Sequence, residues 1–259
     1  QVNDARNHLN LTPDDHYDLI VAEPSNPWLT GVSNLFTKEY FAMGKEKLKP
    51  NGIWSQWIQI YGMDTEDLRS LLGTFSDTYA HVHLYSTISD ADLVLLGSDS
   101  PLELNTKDIQ KRIDANPKVK ADLKLIDVTS ASDILARFRL DRTRLQELAD
   151  GIERNTDDNM RVEYSAPLHL YTWTGDENVL MLEKSVGKVP LVPFDAADNA
   201  DELIALAKSY QKLELWVQAL MCLKEAERQE PRRPDVETLY IQYQHELTTA
   251  LKEQEEEDD

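Results

Sequence analysis

The stretch YDLIVAEPSNPW, Tyr17 to Trp28, decides how the rest of the chain is read. Its first half is a continuous apolar run, the pattern of a strand buried on both faces of a parallel sheet. Its second half is an acid, two prolines, a polar pair (Ser25, Asn26) and a tryptophan. Pro24 and Pro27 fix the backbone and keep a helix from starting before residue 28. Glu23 is therefore expected at the carboxyl end of a buried strand, on a stiff loop. In α/β proteins such loops carry the chemistry, because the sheet is rigid and the loop is free to vary.

Outward from this stretch, residues 1–100 alternate strand and helix patterns. FTKEYFAMGKEKL has helical spacing at Phe36, Tyr40, Phe41 and Leu48, and KPNG (Lys49 to Gly52) ends it with turn chemistry. GIWSQWIQIY reads as the next strand. Asp64 then caps a helix over TEDLRSLLGTF, with Asp67 three residues on. HVHLY and DLVLLG are two strands joined by a polar turn. This alternation predicts a largely parallel sheet with an antiparallel pair at its edge.

Residues 101–197 predict a helical and loop extension. It includes SDILARFRL capped by Ser132, the helix DRTRLQELAD, and NTDDNMRVEYSAP (Asn155 to Pro167) as loop, short extended segment and loop. Residues 198–252 are helical. Leu203, Leu206, Ala207, Tyr210, Ala219, Leu223, Ala226 and Pro231 fit the positions of a tetratricopeptide-like hairpin, with Cys222 and Trp216 in its packing. Six of the last seven residues are acids, so 253–259 is expected to be a disordered tail.

Composition narrows the function classes. The 259 residues, 41% hydrophobic and 29% charged, suffice for one large domain or two modest ones with a buried core. No apolar run approaches the length of a membrane span, and the polar start QVNDARNHLNL lacks the apolar core of a leader. The single cysteine, Cys222, excludes an internal disulfide and suits a reducing compartment. A net charge of −20 argues against nucleic acid as a partner, since phosphate binding needs a basic face.

Over YDLIVAEPSNPWLTGVSNLFTKEYF the chain resembles the spermidine synthase (polyamine aminopropyltransferase) family, in the bacterial branch often fused to transporter-like membrane helices. The resemblance begins at Asp4, runs through Tyr61, and returns at DLVLLGS and NTDDNMRVEYSAPLHLY. It implies an α/β fold, the C-terminal half of a Rossmann-like class I methyltransferase fold, over residues 1–100. It implies aminopropyl transfer from decarboxylated S-adenosylmethionine to an amine, putrescine in the family, with no tightly bound cofactor and no metal. A methyltransferase of the same fold would use S-adenosylmethionine itself.

Carried over by position, Asp4 and Ala5 match the Asp-Gly pair that contacts the adenine. Glu23 matches the aspartate that accepts the proton of the attacking amine. Asn26 matches a second aspartate that helps bind amine groups, with Ser25 beside it. Leu35, Phe36 and Thr37 match the opening of the next helix, and Gln56 lies where the family has a glutamine. Two departures bear on chemistry: Glu23 reaches one methylene further than aspartate, and Asn26 lacks a charge that a diamine would use.

The nine glycines form no G-x-G-x-x-G or G-x-G, the loop that would hold a nucleoside. VNDAR looks like the end of a third strand. The chain is thus expected to be a fragment of a longer protein, inactive alone, with one sheet edge open unless a partner covers it. A homo-oligomer is expected, in the cytoplasm or as the cytoplasmic part of a membrane protein. The tetratricopeptide-like helices would take a protein or peptide partner, and a non-catalytic nucleoside-binding or scaffold module is the alternative reading.

Competing readings stand beside these. Trp28 packs over the loop or stacks on substrate. His81 and His83 share a strand face without a third metal ligand at suitable spacing. Asp157 and Asp158 hold loop backbone or face a cationic substrate. No Ser-His-Asp or Cys-His arrangement supports covalent catalysis.

Overall fold

The computed structural model describes residues 4–87, 91–186 and 196–257. In chain order, α1 (Ala5–Leu11) opens on Asp4, whose side chain accepts the Asn7 N–H. β1 (Tyr17–Ala22) follows. Thr37 caps α2 (Lys38–Lys47), and β2 (Leu48–Gln59) leads to α3 (Thr65–Thr78), capped as expected by the Asp64 side chain on the Asp67 N–H. β3 (His81–Ser86) and β4 (Asp92–Ser98) come next. After them stand α4 (Thr106–Asp114), α5 (Pro117–Leu125), α6 (Ala131–Leu135), β5 (Phe138–Asp141) and α7 (Arg142–Leu148). The last helices are α8 (Arg161–Ser165), α9 (Gly175–Val186), α10 (Ala200–Lys212), α11 (Trp216–Gln229) and α12 (Pro234–Glu257).

The five strands form one sheet in the order β1-β2-β4-β3-β5. β1 and β2 are parallel, with Leu19 opposite Ile53 and Ala22 opposite Gln56. β4 runs antiparallel to both β2 and β3. The antiparallel pair is therefore not an edge feature: β4 lies inside the sheet, between the two strands that precede it. β1, expected to be buried, is an edge strand instead, with Leu19 55% and Val21 66% exposed. Its apolar run is the same whether a neighbour is present or not, so only the strand order reveals this.

Two units divide the chain: Gln1–Leu102 with Arg139–Gly187, and Glu103–Phe138 with Lys188–Asp259. The expected extension 101–197 is thus shared between them. In the sheet-bearing unit, Phe36, Tyr40, Phe41, Trp54, Phe75 and Tyr79 are buried together. Trp54 meets Tyr40 edge-on at 5.3 Å and Phe41 at 5.9 Å, and Phe41 meets Phe75 at 5.0 Å. Gly44 allows this closeness, because a Cβ there would lie 1.7 Å from the Trp54 ring.

Four local expectations change. Leu48 and KPNG, expected to end the helix and form a turn, belong to β2, with Asn51 at φ +67°. Ser130, not Ser132, caps α6, in a capping box with Asp133. The end of SDILARFRL is β5, where buried Phe138 and Leu140 alternate with Arg139 as a strand requires. The segment after Asn159 is α8 rather than extended, since the Asn159 and Asn155 side-chain oxygens accept the Arg161 and Val162 N–H groups at 3.1 and 3.2 Å.

In the helical unit α10 packs on α11, and α11 on α12. Leu203, Leu206, Ala207, Tyr210, Ala219, Leu223 and Ala226 are all buried. Trp216 meets Tyr243 of α12 at 5.9 Å. Cys222 is buried, and burial pushes its thiol up to about 12. Asp133 joins α6 to α10 by accepting from Ser209 at 2.8 Å and Lys212 at 3.0 Å. α12 continues to Glu257, through residues expected to lack structure, because glutamate and glutamine are good helix formers. Residues 258 and 259 of the expected tail lie outside the described residues. Among the described residues no helix is long and apolar enough to cross a membrane.

Candidate functional site

β1 delivers the chain into the 23–31 loop at its carboxyl end. The loop is built from turns, with the Leu29 N–H on the Asn26 carbonyl at 3.1 Å and the Val32 N–H on the Leu29 carbonyl at 2.8 Å. Pro27 is buried, and Trp28 stands edge-on to Tyr61 at 6.4 Å. Gly62 has φ +69° and lies under the Trp28 ring, where a Cβ would come within 2.5 Å. Trp28 therefore packs the loop onto the turn after β2. Glu163 of α8 accepts the Gly31 N–H at 3.1 Å from the other side.

Glu23 is exposed and makes no hydrogen bond or ion pair among the described residues. It lines a groove of about 340 Å³ together with Ala5, His8, Tyr17, Leu35 and Tyr40. His8 Nε2 and the Tyr17 hydroxyl are hydrogen-bonded at 2.7 Å in this groove. Burial, then the charge of Asp4, pushes the Tyr40 phenol up to about 12. Tyr40 thus faces the groove as a neutral hydroxyl. A free carboxylate, a hydrogen-bonded His–Tyr pair and a phenol can together orient a polar ligand and take a proton from it.

Of the residues carried over from the resemblance, the groove brings together Glu23, Ala5 and Leu35. Asp4 stands at the start of α1, its side chain accepting the Asn7 N–H at 2.8 Å. Ser25 is exposed and Asn26 half-buried, and neither lines the groove. Gln56 lies in the core: its Oε1 accepts the Trp54 indole N–H at 3.1 Å, and its Nε2 donates to the Trp57 carbonyl at 3.0 Å. His8 went unnoticed in the sequence, and Tyr17 and Tyr40 were read only as strand and helix positions, not as site residues. The spacing from Asp4 to His8, one helical turn, was the available signal.

The NTDD segment ties these elements together. Arg6 of α1 forms a two-pronged pair with the Asp157 carboxylate and also donates to the Asn34 carbonyl at 2.9 Å. The Thr37 hydroxyl donates to Asp157 at 2.6 Å, and Glu39 accepts the Asp157 N–H at 2.9 Å. Burial alone would raise the Asp157 carboxyl; Arg6 and Thr37 outweigh it and hold the group below its ordinary value. Asn155 is fully buried, donating to the Phe36 carbonyl at 3.1 Å. Asp157 is therefore paired within the fold.

At the start of α3, Asp67 is fully buried, with the Arg161 Nε at 3.7 Å, and His169 lies 3.3 Å from Asp64. Among the described residues no group of three or more His, Cys, Asp or Glu is placed to hold a metal ion.

The sheet, the strand-end loop and the groove define an α/β chain with a candidate small-molecule site at the carboxyl end of β1. No protein-family model and no curated protein matches the chain. Among solved structures, it is similar to a probable spermidine synthase from Corynebacterium glutamicum ATCC 13032, at 18% identity and a TM-score of 0.41. That similarity covers 61% of this chain and 53% of the other, so the chain spans about half the length of that protein.

Proposed function

We propose that the sheet-bearing unit carries the acceptor side of an aminopropyltransferase-like site, with Glu23 as the general base. The observation that carries this reading is Glu23 itself: an exposed carboxylate, unpaired among the described residues, at the carboxyl end of β1, on one groove with Ala5 and the His8–Tyr17 pair. The motif resemblance from Asp4 to Tyr61 supports the same assignment, as does a sheet with parallel β1 and β2 followed by an antiparallel pair. In the reaction the amine lone pair attacks the propyl carbon bonded to the sulfonium sulfur of decarboxylated S-adenosylmethionine. The C–S bond breaks, methylthioadenosine leaves, and the surplus proton of the new C–N centre passes to Glu23. Such a displacement asks the protein to orient two substrates and accept one proton.

The test is a transfer assay on the protein, with decarboxylated S-adenosylmethionine and a panel of amines. Glu23→Gln is expected to lower turnover about a hundredfold or more, the range of a lost general base. Methyl transfer from S-adenosylmethionine with no aminopropyl product would overturn the reading.

A second reading, a non-catalytic binding module, is favoured by one observation: Asp4 and Gln56 are engaged in a helix cap and in core hydrogen bonds. Calorimetry with methylthioadenosine and decarboxylated S-adenosylmethionine separates the two, since absence of heat with either favours the scaffold. We read α10 and α11 as a tetratricopeptide-like hairpin whose partner is a protein or peptide.

A further inference from the structure

The groove beside β1 combines two kinds of surface. Among the described residues that line it, Glu23 is the only acid, at the end where the 23–31 loop begins. His8 and Tyr17 are bonded to each other. Much of the remaining lining is aliphatic, with Leu9, Leu19, Val21 and Leu35 along its length. Leu19 and Val21 stand outward from β1, so this apolar wall is open to a ligand. Acids in the surrounding elements are engaged. Asp4, whose charge reaches Tyr40, caps α1; Asp18 pairs with Lys49 at 2.7 Å; Asp157 pairs with Arg6. Asn26 of the same loop is a neutral amide outside the groove.

We propose that the amine acceptor is an alkyl monoamine, held with its nitrogen at Glu23 and its hydrocarbon chain along β1. This inference rests on the reading of Glu23 as general base and goes beyond it to the class of amine. The reacting nitrogen offers a lone pair and gives its proton to Glu23. The far nitrogen of a diamine behaves like a lysine side chain and stays an ammonium near neutral pH. It would lie against Leu19 and Val21, where a charge without a partner is disfavoured. An alkyl chain suits the same wall, since each methylene taken out of water strengthens binding by up to about fourfold. The groove, about 340 Å³, takes about eleven groups the size of a water, enough for a hexyl chain with its nitrogen.

The test is kcat/KM for transfer from decarboxylated S-adenosylmethionine, with butylamine and hexylamine each beside the diamine of the same length. Each monoamine is expected to exceed its diamine about tenfold or more, the order of one missing charged contact. Hexylamine is expected to exceed butylamine by up to about fifteenfold. Val21→Glu supplies the converse. It sets a second carboxylate two residues before Glu23, roughly 7 Å along the strand, within the span of a four-carbon diamine. Val21 stands in solvent, so folding is retained and circular dichroism checks it. The variant is expected to narrow the butylamine preference about tenfold. A diamine used as well as its monoamine by the parent, a rate indifferent to chain length, or a preference unmoved by Val21→Glu would overturn the monoamine assignment and leave Glu23 as base standing. Transfer to no amine, or transfer undiminished in Glu23→Gln, would remove the base and this inference with it.

Discussion

Asp67 shows what one buried group costs. Its carboxyl is pushed from 3.8 up to about 6, first by burial and next by the charge of Asp64. Arg161 at 3.7 Å is too far for a hydrogen bond. Because the folded-state value lies above the unfolded one, the folded protein binds more protons between the two. Stability from this group therefore falls as pH rises through that window, and the full penalty is present above about pH 6. The shift corresponds to at most about 3 kcal/mol. Asp67→Asn is expected to raise the urea midpoint at about pH 7.5 and to flatten the change between about pH 4.5 and 7.5. A variant less stable than the parent at the higher pH would mean that Arg161 holds the carboxylate as a useful ion pair. The sequence revealed the Asp64 cap and its spacing to Asp67, because capping is local. It did not reveal that Asp67 is buried, nor that Gln56 serves Trp54, because both depend on tertiary packing rather than on local sequence.

At the scale of elements, Asn155 decides the conformation of two segments at once. Its side chain donates to the Phe36 carbonyl and accepts the Val162 N–H, while its own N–H reaches the Thr74 hydroxyl at 2.9 Å. Asn155→Ala strands a buried carbonyl and a buried N–H, each worth about 1–3 kcal/mol. A loss of roughly 2–4 kcal/mol is expected in urea unfolding, with hydrogen exchange rising first in α8 and around residues 33–37. A loss below about 1 kcal/mol would place the control of these segments elsewhere. Gly44→Ala tests the packing of α2 on β2: the added methyl meets the Trp54 ring, and overpacking of this kind costs about 1–3 kcal/mol. Here too the limits of sequence reading are physical. α2 and α3 were legible from apolar spacing and caps within one turn. α8 was not, since one of its capping side chains, Asn155, lies outside the turn it caps.

At the scale of the molecule, the alternation of strand and helix was enough to give an α/β sheet but not its directions: a largely parallel sheet was expected, whereas β1 and β2 are parallel and β4 is antiparallel to both its neighbours. The order of strands was not legible, because no local signal says that β4 enters between β2 and β3, or that β1 ends the sheet. This order has a consequence of its own. Among the described residues β1 presents an unpaired strand edge flanked by Leu19 and Val21, with Asp18 its only charge, paired to Lys49 at 2.7 Å. Natural sheets usually protect such an edge with inward-pointing charges, proline or a covering element. Unprotected, it is expected to pair with strands from other molecules at high concentration. That association is open-ended, unlike a closed dimer. Leu19→Lys/Val21→Lys should abolish the larger species in light scattering, while leaving circular dichroism and the urea midpoint within about 0.5 kcal/mol of the parent, since both side chains already face solvent. If the lysines lowered the midpoint by more than about 2 kcal/mol, β1 would be covered in solution by a part of the molecule, and the edge would not be free.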